Sequence, residues 1–295
     1  MENDGPSPDA TTAPRWFSAA LASSPDHLDV EVDGCAIHLR CWGDQAHPGL
    51  VLVHGGAAHS GWWDHVAPFF AARQRVVAVD LSGHGDSGHC EHYDMSVWAT
   101  EVLAAAVAGG ISGPPVVVGH SMGGWAVATA GVEHGERLAG AVIIDSPLND
   151  RPPEDEGMRR RPRPRRVYAT LEEGVARFTT LPRQEVLLPY IARHIAEQSL
   201  RQVEGGWSWK FDPRMFGQRR LMRELLPDLR CRAALFRSEF GLVPPAMAAQ
   251  IEQLLPAGAP VIELPDAGHH PMLDQPLPLV AALRTLLTSW TAAVP

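Results

Sequence analysis

At 295 residues the chain is long for one average domain but normal for a single α/β domain carrying an insertion, and 45% hydrophobic content is enough for a large core. A formal charge of −9 argues against general nucleic-acid or anionic-membrane binding, and no apolar run approaches the roughly 20 residues that span a bilayer. Cys35, Cys41, Cys90 and Cys231 are scattered without Cys-x-x-Cys pairing, which reads as a reduced set rather than disulfides or zinc.

Residues 1–14 are polar and lack both the basic cluster and the apolar centre of a signal peptide. They read as part of a partly disordered lead-in, 1–27, to a cytoplasmic protein. Residues 28–32 and 36–42 alternate apolar and polar side chains around Asp33-Gly34, a hairpin signal. Residues 50–53 and 76–79 are continuous apolar runs, as in strands buried on both faces. Helical spacing is expected over 60–72 and again over 96–107. The run 116–118 leads into Gly119-His120-Ser121-Met122-Gly123 and a helix, and 141–144 is another buried strand. Strands alternating with helices at this spacing imply a parallel sheet covered on both faces.

The alternation stops at Pro147. Residues 148–226 hold prolines, an arginine-rich stretch over 159–166 and helical pieces such as 187–203. The arginines read as a solvated edge balanced by Glu154, Asp155 and Glu156, not as a nucleic-acid patch. The aromatics Tyr168, Phe178, Tyr190, Trp207, Trp209, Phe211 and Phe216 mostly suit a small local core, with one or two available to line an apolar pocket. Sheet signals resume at 233–236 and 261–264, with helices expected over 245–255 and 277–290. The organisation is therefore a core of 28–147 and 228–295 interrupted by a helical cap, 148–227.

Gly119-His120-Ser121-Met122-Gly123 has the Gly-x-Ser-x-Gly form between a strand and a helix, which is the context a nucleophile elbow requires. Attack on an ester carbonyl needs a base to take the serine proton, and histidine, with a pKa near 6.5, suits that task. Binding sites in such sheets lie beyond the carboxyl ends of the strands, where His54, Asp80, Ser121 and Asp145 all fall.

Together with His54-Gly55-Gly56, Asp80-x-x-Gly-His-Gly-Asp-Ser87 and Gly268-His269, the elbow resembles the α/β-hydrolase superfamily over roughly 28–147 and 228–292. Within it the chain is similar to capped serine hydrolases: carboxylesterases, lactonases and carbon–carbon bond hydrolases. The resemblance implies the α/β-hydrolase fold, a mostly parallel sheet with helices on both faces and a cap. It implies Ser121 as nucleophile, His269 as base, and an oxyanion hole from the backbone of Met122 and Gly56, with Ala57 the near alternative and a substrate contact. His120 reads as a packed elbow residue, and His54 and His84 as structural.

The usual acid position in this superfamily falls on Gly241, which has no carboxylate. Two candidates remain: Asp145, 24 residues after Ser121 at the end of the next strand, and Glu239 near the usual site. Asp145 is favoured because Gly241 vacates the usual site and the alternative site, where some family members carry their acid, is filled. Trp207 and Trp209 are the expected substrate-binding residues of the cap. The function expected is cleavage of a small-molecule ester or lactone through an acyl-enzyme, with no cofactor and no metal. Carbon–carbon bond hydrolysis, acyl transfer on the same triad and a catalytically silent ligand receptor are the alternatives; self-association into a homo-oligomer stays open.

Overall fold

The computed structural model describes residues 13–148, 166–215 and 222–292. Most of the polar lead-in, the acidic and arginine-rich residues 154–165 and Phe216 lie outside the described residues. Eight strands form one sheet: β1 (Asp26–Val32), β2 (Cys35–Trp42), β3 (Gly49–Val53), β4 (Arg75–Val79), β5 (Val116–His120), β6 (Gly140–Ile144), β9 (Ala233–Phe240) and β10 (Val261–Gly268). Between β6 and β9 lie β7 (Leu200–Val203) and β8 (Gly206–Trp209), a separate antiparallel pair. The order in the large sheet is β1-β2-β4-β3-β5-β6-β9-β10, antiparallel from β1 through β2 to β4 and parallel from there on.

Side chains on a strand point alternately to its two faces, and both faces of the central strands are covered. Val51, Val53, Val77, Val79 and Val117 pack into one apolar cluster with the helices Met95–Ala108 and Met122–Glu133. Leu50, Leu52, Val76, Ala78, Val116 and Val118 pack into another with the closing helix Pro276–Ala292. Every residue of β3, β4, β5 and β6 is buried, which is why these runs read as unbroken apolar sequence. Each fully buried Val or Leu contributes about 1.5–3 kcal/mol. Asp94 starts the first of these helices by accepting from the Val97 N–H at 2.9 Å. Among the described residues no helix is long and apolar enough to cross a membrane.

Three local expectations are corrected. Residues 60–72 form two short 3₁₀ turns, Ser60–Trp63 and Ala67–Phe69, not an α-helix. Pro68 removes a backbone donor there, and the side chain of His59 bonds the Gly61 N–H and tightens the first turn. The helical piece over 187–203 is a helix at Pro189–Gln198 followed by β7, so the inserted segment is not purely helical. Gly205 and Gly206 have positive φ and turn β7 back as β8. Strand β9 runs on past Phe236 to Phe240, which brings Arg237, Ser238 and Glu239 into the strand.

The inserted segment contacts loops at the carboxyl ends of the parallel strands. Asp212 N–H donates to the Gly83 carbonyl at 2.7 Å and Leu188 N–H to the Leu273 carbonyl at 2.9 Å. His194 reaches Asp64 at 3.0 Å, and Asp64 also takes both contacts from the buried Arg40 at 3.1 Å.

Candidate active site

The turn after β5 brings three chain segments closer than side chains allow. A Cβ on Gly119 would fall on the Gly123 carbonyl, and one on Gly123 would fall on the carbonyls of Val53 and His54. Ser121, between them, has φ 52° and ψ −116°, a strained conformation that projects a half-buried side chain at the start of the helix Met122–Glu133. Two bonds brace it: Ser121 N–H donates to the Ile144 carbonyl at 2.9 Å, and Ser146 Oγ donates to the Ser121 carbonyl at 2.7 Å. Ser146 has no motif to mark it; only the adjacency of β5 and β6 reveals its role.

Ser121 Oγ lies 3.0 Å from His269 Nε2, and His269 Nδ1 lies 2.7 Å from Asp145 Oδ2. His269 follows β10 directly, and Asp145 follows β6. The Asp145 carboxylate is fully buried and also accepts from the N–H groups of Leu242 at 2.7 Å and of Ser238 and Val243 at 3.3 Å. With the His269 ring as a fourth donor, its charge is fully hydrogen-bonded, as a buried carboxylate requires.

Gly241 makes this arrangement possible. A Cβ there would collide with all three atoms of the Asp145 carboxylate. The position that lacks a carboxylate in sequence is thus the space that the Asp145 carboxylate fills. Glu239, the other candidate acid, points away: its exposed carboxylate accepts from the Asp266 N–H at 2.9 Å and anchors the irregular end of β10. Asp266 has φ 55°, so that bond supports a bend that an aspartate tolerates better than most residues.

The remaining histidines near Ser121 are held by backbone. His54 takes the Leu81 N–H on Nε2 at 3.1 Å, so Nδ1 carries the proton that it gives to the Gly55 carbonyl at 2.7 Å. His84 bonds the Ser82 carbonyl at 3.1 Å. His120 Nε2 donates to the His269 carbonyl at 2.7 Å and so ties the elbow to the loop that carries His269. Burial lowers the basicity of all three, which keeps them neutral near pH 7.

Two further residues, beside His269, escaped the sequence reading. Gln184 Oε1 accepts from the His270 N–H at 2.8 Å, while its Nε2 donates to Asp274 Oδ2 at 2.8 Å. Asp274 in turn accepts from the Gly268 N–H at 2.6 Å. The two clamp both sides of His269, and burial pushes the Asp274 carboxyl up to about 6. Asp274 follows His269 by five residues in the chain, but Gln184 carries no local signal.

Met122 is the first residue of its helix, so its N–H has no intrahelical acceptor. Gly56 and Ala57 line the turn after β3, both half-buried, and Ala57 has φ 60°. Trp207 and Trp209 sit on β8. Trp207 is paired with Tyr168, and Trp209 Nε1 donates to the Tyr168 hydroxyl at 3.1 Å and packs on Phe178. Phe178 leads on to Trp62, and Trp62 to His270, with ring centroids 6.3 and 5.4 Å apart. A cavity of about 630 Å³ borders His269, Gly241 and Asp274, with Val186, Phe240 and Leu242 on its wall. A smaller hollow of about 310 Å³, beside Gly49, Val116 and Trp290, opens at the opposite ends of the strands, away from Ser121.

A model of the alpha/beta hydrolase family matches residues 50–283. A pyrethroid hydrolase of Sphingobium wenxiniae is 29% identical over 259 residues, covering 79% of this chain and 85% of that protein. A pimeloyl-[acyl-carrier protein] methyl ester esterase of Nitrosomonas europaea is 37% identical over 111 residues. That match spans 38% of this chain and only 41% of the esterase. Among solved structures, the thioesterase domain from the curacin biosynthetic pathway superposes with a TM-score of 0.74 at 21% identity, covering 90% of this chain and 99% of that one. At that identity the likeness speaks for the fold alone.

Proposed function

Because this chain belongs to the alpha/beta hydrolase family, we propose that it is a serine hydrolase that cleaves a carboxylic ester or lactone through an acyl-enzyme on Ser121. That it is an ester hydrolase in the broad sense follows from the family and its relatives; the mechanism and the residue roles are our reading. The observation that carries it is the continuous relay from Ser121 Oγ through the His269 ring to Asp145, with contacts of 3.0 and 2.7 Å.

In this reading His269 Nε2 takes the Ser121 proton as Oγ attacks the carbonyl carbon. The His269 Nδ1–H stays on the ring and donates to Asp145, which fixes the tautomer and stabilises the imidazolium that forms. The N–H groups of Met122 and Gly56 stabilise the oxyanion, each such donor being worth about 10²–10³ in kcat. His269 then returns the proton to the leaving alkoxide. Water, activated by the same ring, attacks the acyl-enzyme and releases the acid with Ser121 restored.

The inserted segment acts as the cap. Trp209 reaches the His270 side of the site through Phe178 and Trp62, which supports a role for Trp207 and Trp209 in shaping the acyl pocket. The decisive test is covalent. A fluorophosphonate should label the chain once, at Ser121, and Ser121→Ala should lose on the order of 10⁴-fold or more in kcat on p-nitrophenyl esters. Labelling elsewhere, or turnover that survives the substitution, defeats the reading.

A further inference from the structure

Three imidazoles crowd the site, and the relay uses only one of them. His120, His269 and His270 are all buried, at 1%, 4% and 3% exposure. Their ring centroids lie 4.6 to 5.2 Å apart, and each ring has a nitrogen within 4.8 Å of a nitrogen on the other two. Two of these rings carry a nitrogen with no partner among the described residues: Nδ1 of His120 and Nδ1 of His270 are both buried without a hydrogen bond from them.

The protonation of those nitrogens follows from their neighbours. His120 Nε2 faces the His269 carbonyl at 2.7 Å and His270 Nε2 faces the Pro182 carbonyl at 3.3 Å. A carbonyl only accepts, so Nε2 is the protonated nitrogen in each ring. In the neutral imidazole the other nitrogen is then a bare lone pair. Both rings are buried, which disfavours the charged imidazolium. Two bare lone pairs in a buried site are costly unless something with an electron-pair vacancy or a proton meets them. A Cβ on Gly55 would come within 2.9 Å of His120 Nδ1, so only glycine lets the backbone pack this closely against that nitrogen.

We propose that His120 and His270, through Nδ1, and His269, through Nε2, form an inhibitory site for a borderline-soft divalent cation such as Zn²⁺. Three imidazole nitrogens at about 2.0–2.1 Å with a fourth position left for water is an established zinc geometry. One nitrogen of each ring lies within 4.8 Å of one on each of the others, so the rings reach that geometry by shifting toward a common centre. The carboxylate that orients a zinc-bound imidazole is already in place, because Asp145 accepts from His269 Nδ1 at 2.7 Å. The bond that forms is the His269 Nε2 lone pair to the cation, and the bond that breaks is Ser121 Oγ–H to that same nitrogen. No electrons are transferred, and Ser121 keeps its proton and loses its base.

The inhibition rests on the serine-hydrolase reading, whereas the binding does not, so the two are measured separately. Calorimetry with Zn²⁺ on the Ser121→Ala chain should show one tight equivalent, and His270→Phe, which keeps an aromatic ring against Trp62, should weaken it at least 10-fold. Co²⁺ on the Ser121→Ala chain should give the visible absorption of a four-coordinate nitrogen-rich site, and this arm does not depend on the His270 variant folding. On the wild-type chain, Zn²⁺ should slow fluorophosphonate labelling of Ser121 and chelator should restore it. No tight equivalent, a featureless Co²⁺ spectrum, or an equivalent unchanged in a folded His270→Phe chain (metal on an exposed pair such as His27 and His38) would overturn the proposal. Tight Zn²⁺ binding on a chain that never reacts with fluorophosphonate would keep the site and defeat the hydrolase reading instead.

Discussion

Gly241→Ala should disable the site through a single methyl group. Gly241 does not have a positive φ, so alanine meets no backbone strain there and its effect comes from contact alone. The added Cβ would lie 2.5 Å from Asp145 Cγ and Oδ1, and nearer still to Oδ2, the oxygen that holds His269. Ordinary carbon contacts need about 3.5 Å, so the carboxylate must withdraw by about 1 Å. Misplacement on that scale costs about 10²-fold, and full loss of the orienting acid about 10⁴-fold. The expected fall in kcat is therefore about 10²–10⁴, or roughly 3–5 kcal/mol on the barrier. Overpacking should also cost about 1–3 kcal/mol of stability. The assay is p-nitrophenyl ester turnover per fluorophosphonate-titrated site, with urea melts alongside. In an Asp145→Ala background the methyl has nothing to strike, so Gly241→Ala should then cost little in either measurement. A Gly241→Ala chain with wild-type kcat and an unchanged melt would refute the assignment of Asp145 as the orienting acid.

Other perturbations test separate parts of the structure. Glu239→Gln, whose side chain only accepts from the Asp266 N–H, should change kcat by less than about 10-fold, against about 10⁴ for Asp145→Asn; the reverse ranking on folded proteins would move the orienting role to Glu239. Glu101 is buried beside the Ser82 N–H, and burial pushes its carboxyl up to about 7 in spite of hydrogen bonds from Ser82. Its folded pKa thus lies above the unfolded one, so its contribution is full below about pH 4.5 and is lost as pH rises through 7. Glu101→Gln should therefore stabilise the chain more at pH 8 than at pH 5, and equal shifts in thermal melts at the two pH values would contradict this. Asp64→Ala strands the buried Arg40 guanidinium and frees His194 on the helix Pro189–Gln198. It should cost about 3–5 kcal/mol, and a loss below 1 kcal/mol in urea unfolding would show that Arg40 finds other partners.

The sheet was legible in the chain because its physics is local and periodic. The unbroken apolar runs of β3 to β6 require burial on both faces, and Asp33-Gly34 and the glycines around Ser121 mark turns that few other residues can make. Ser121 and His269 were legible for the same reason: each sits in a short motif with its own backbone demand. The 3₁₀ turns over 60–69 and the β7–β8 hairpin were not, because there the helical spacing of apolar residues was outweighed by Pro68 and by pairing of Leu200 with Trp209. What only the tertiary structure decided is the choice between Asp145 and Glu239 as the partner of His269. Both lie at strand ends, and residue spacing could not rank them by geometry. Strand order places β6 beside β9, and Gly241 then leaves open the volume that the Asp145 carboxylate enters. That vacancy is a contact between positions 96 residues apart in sequence, so it exists only once the strands are side by side.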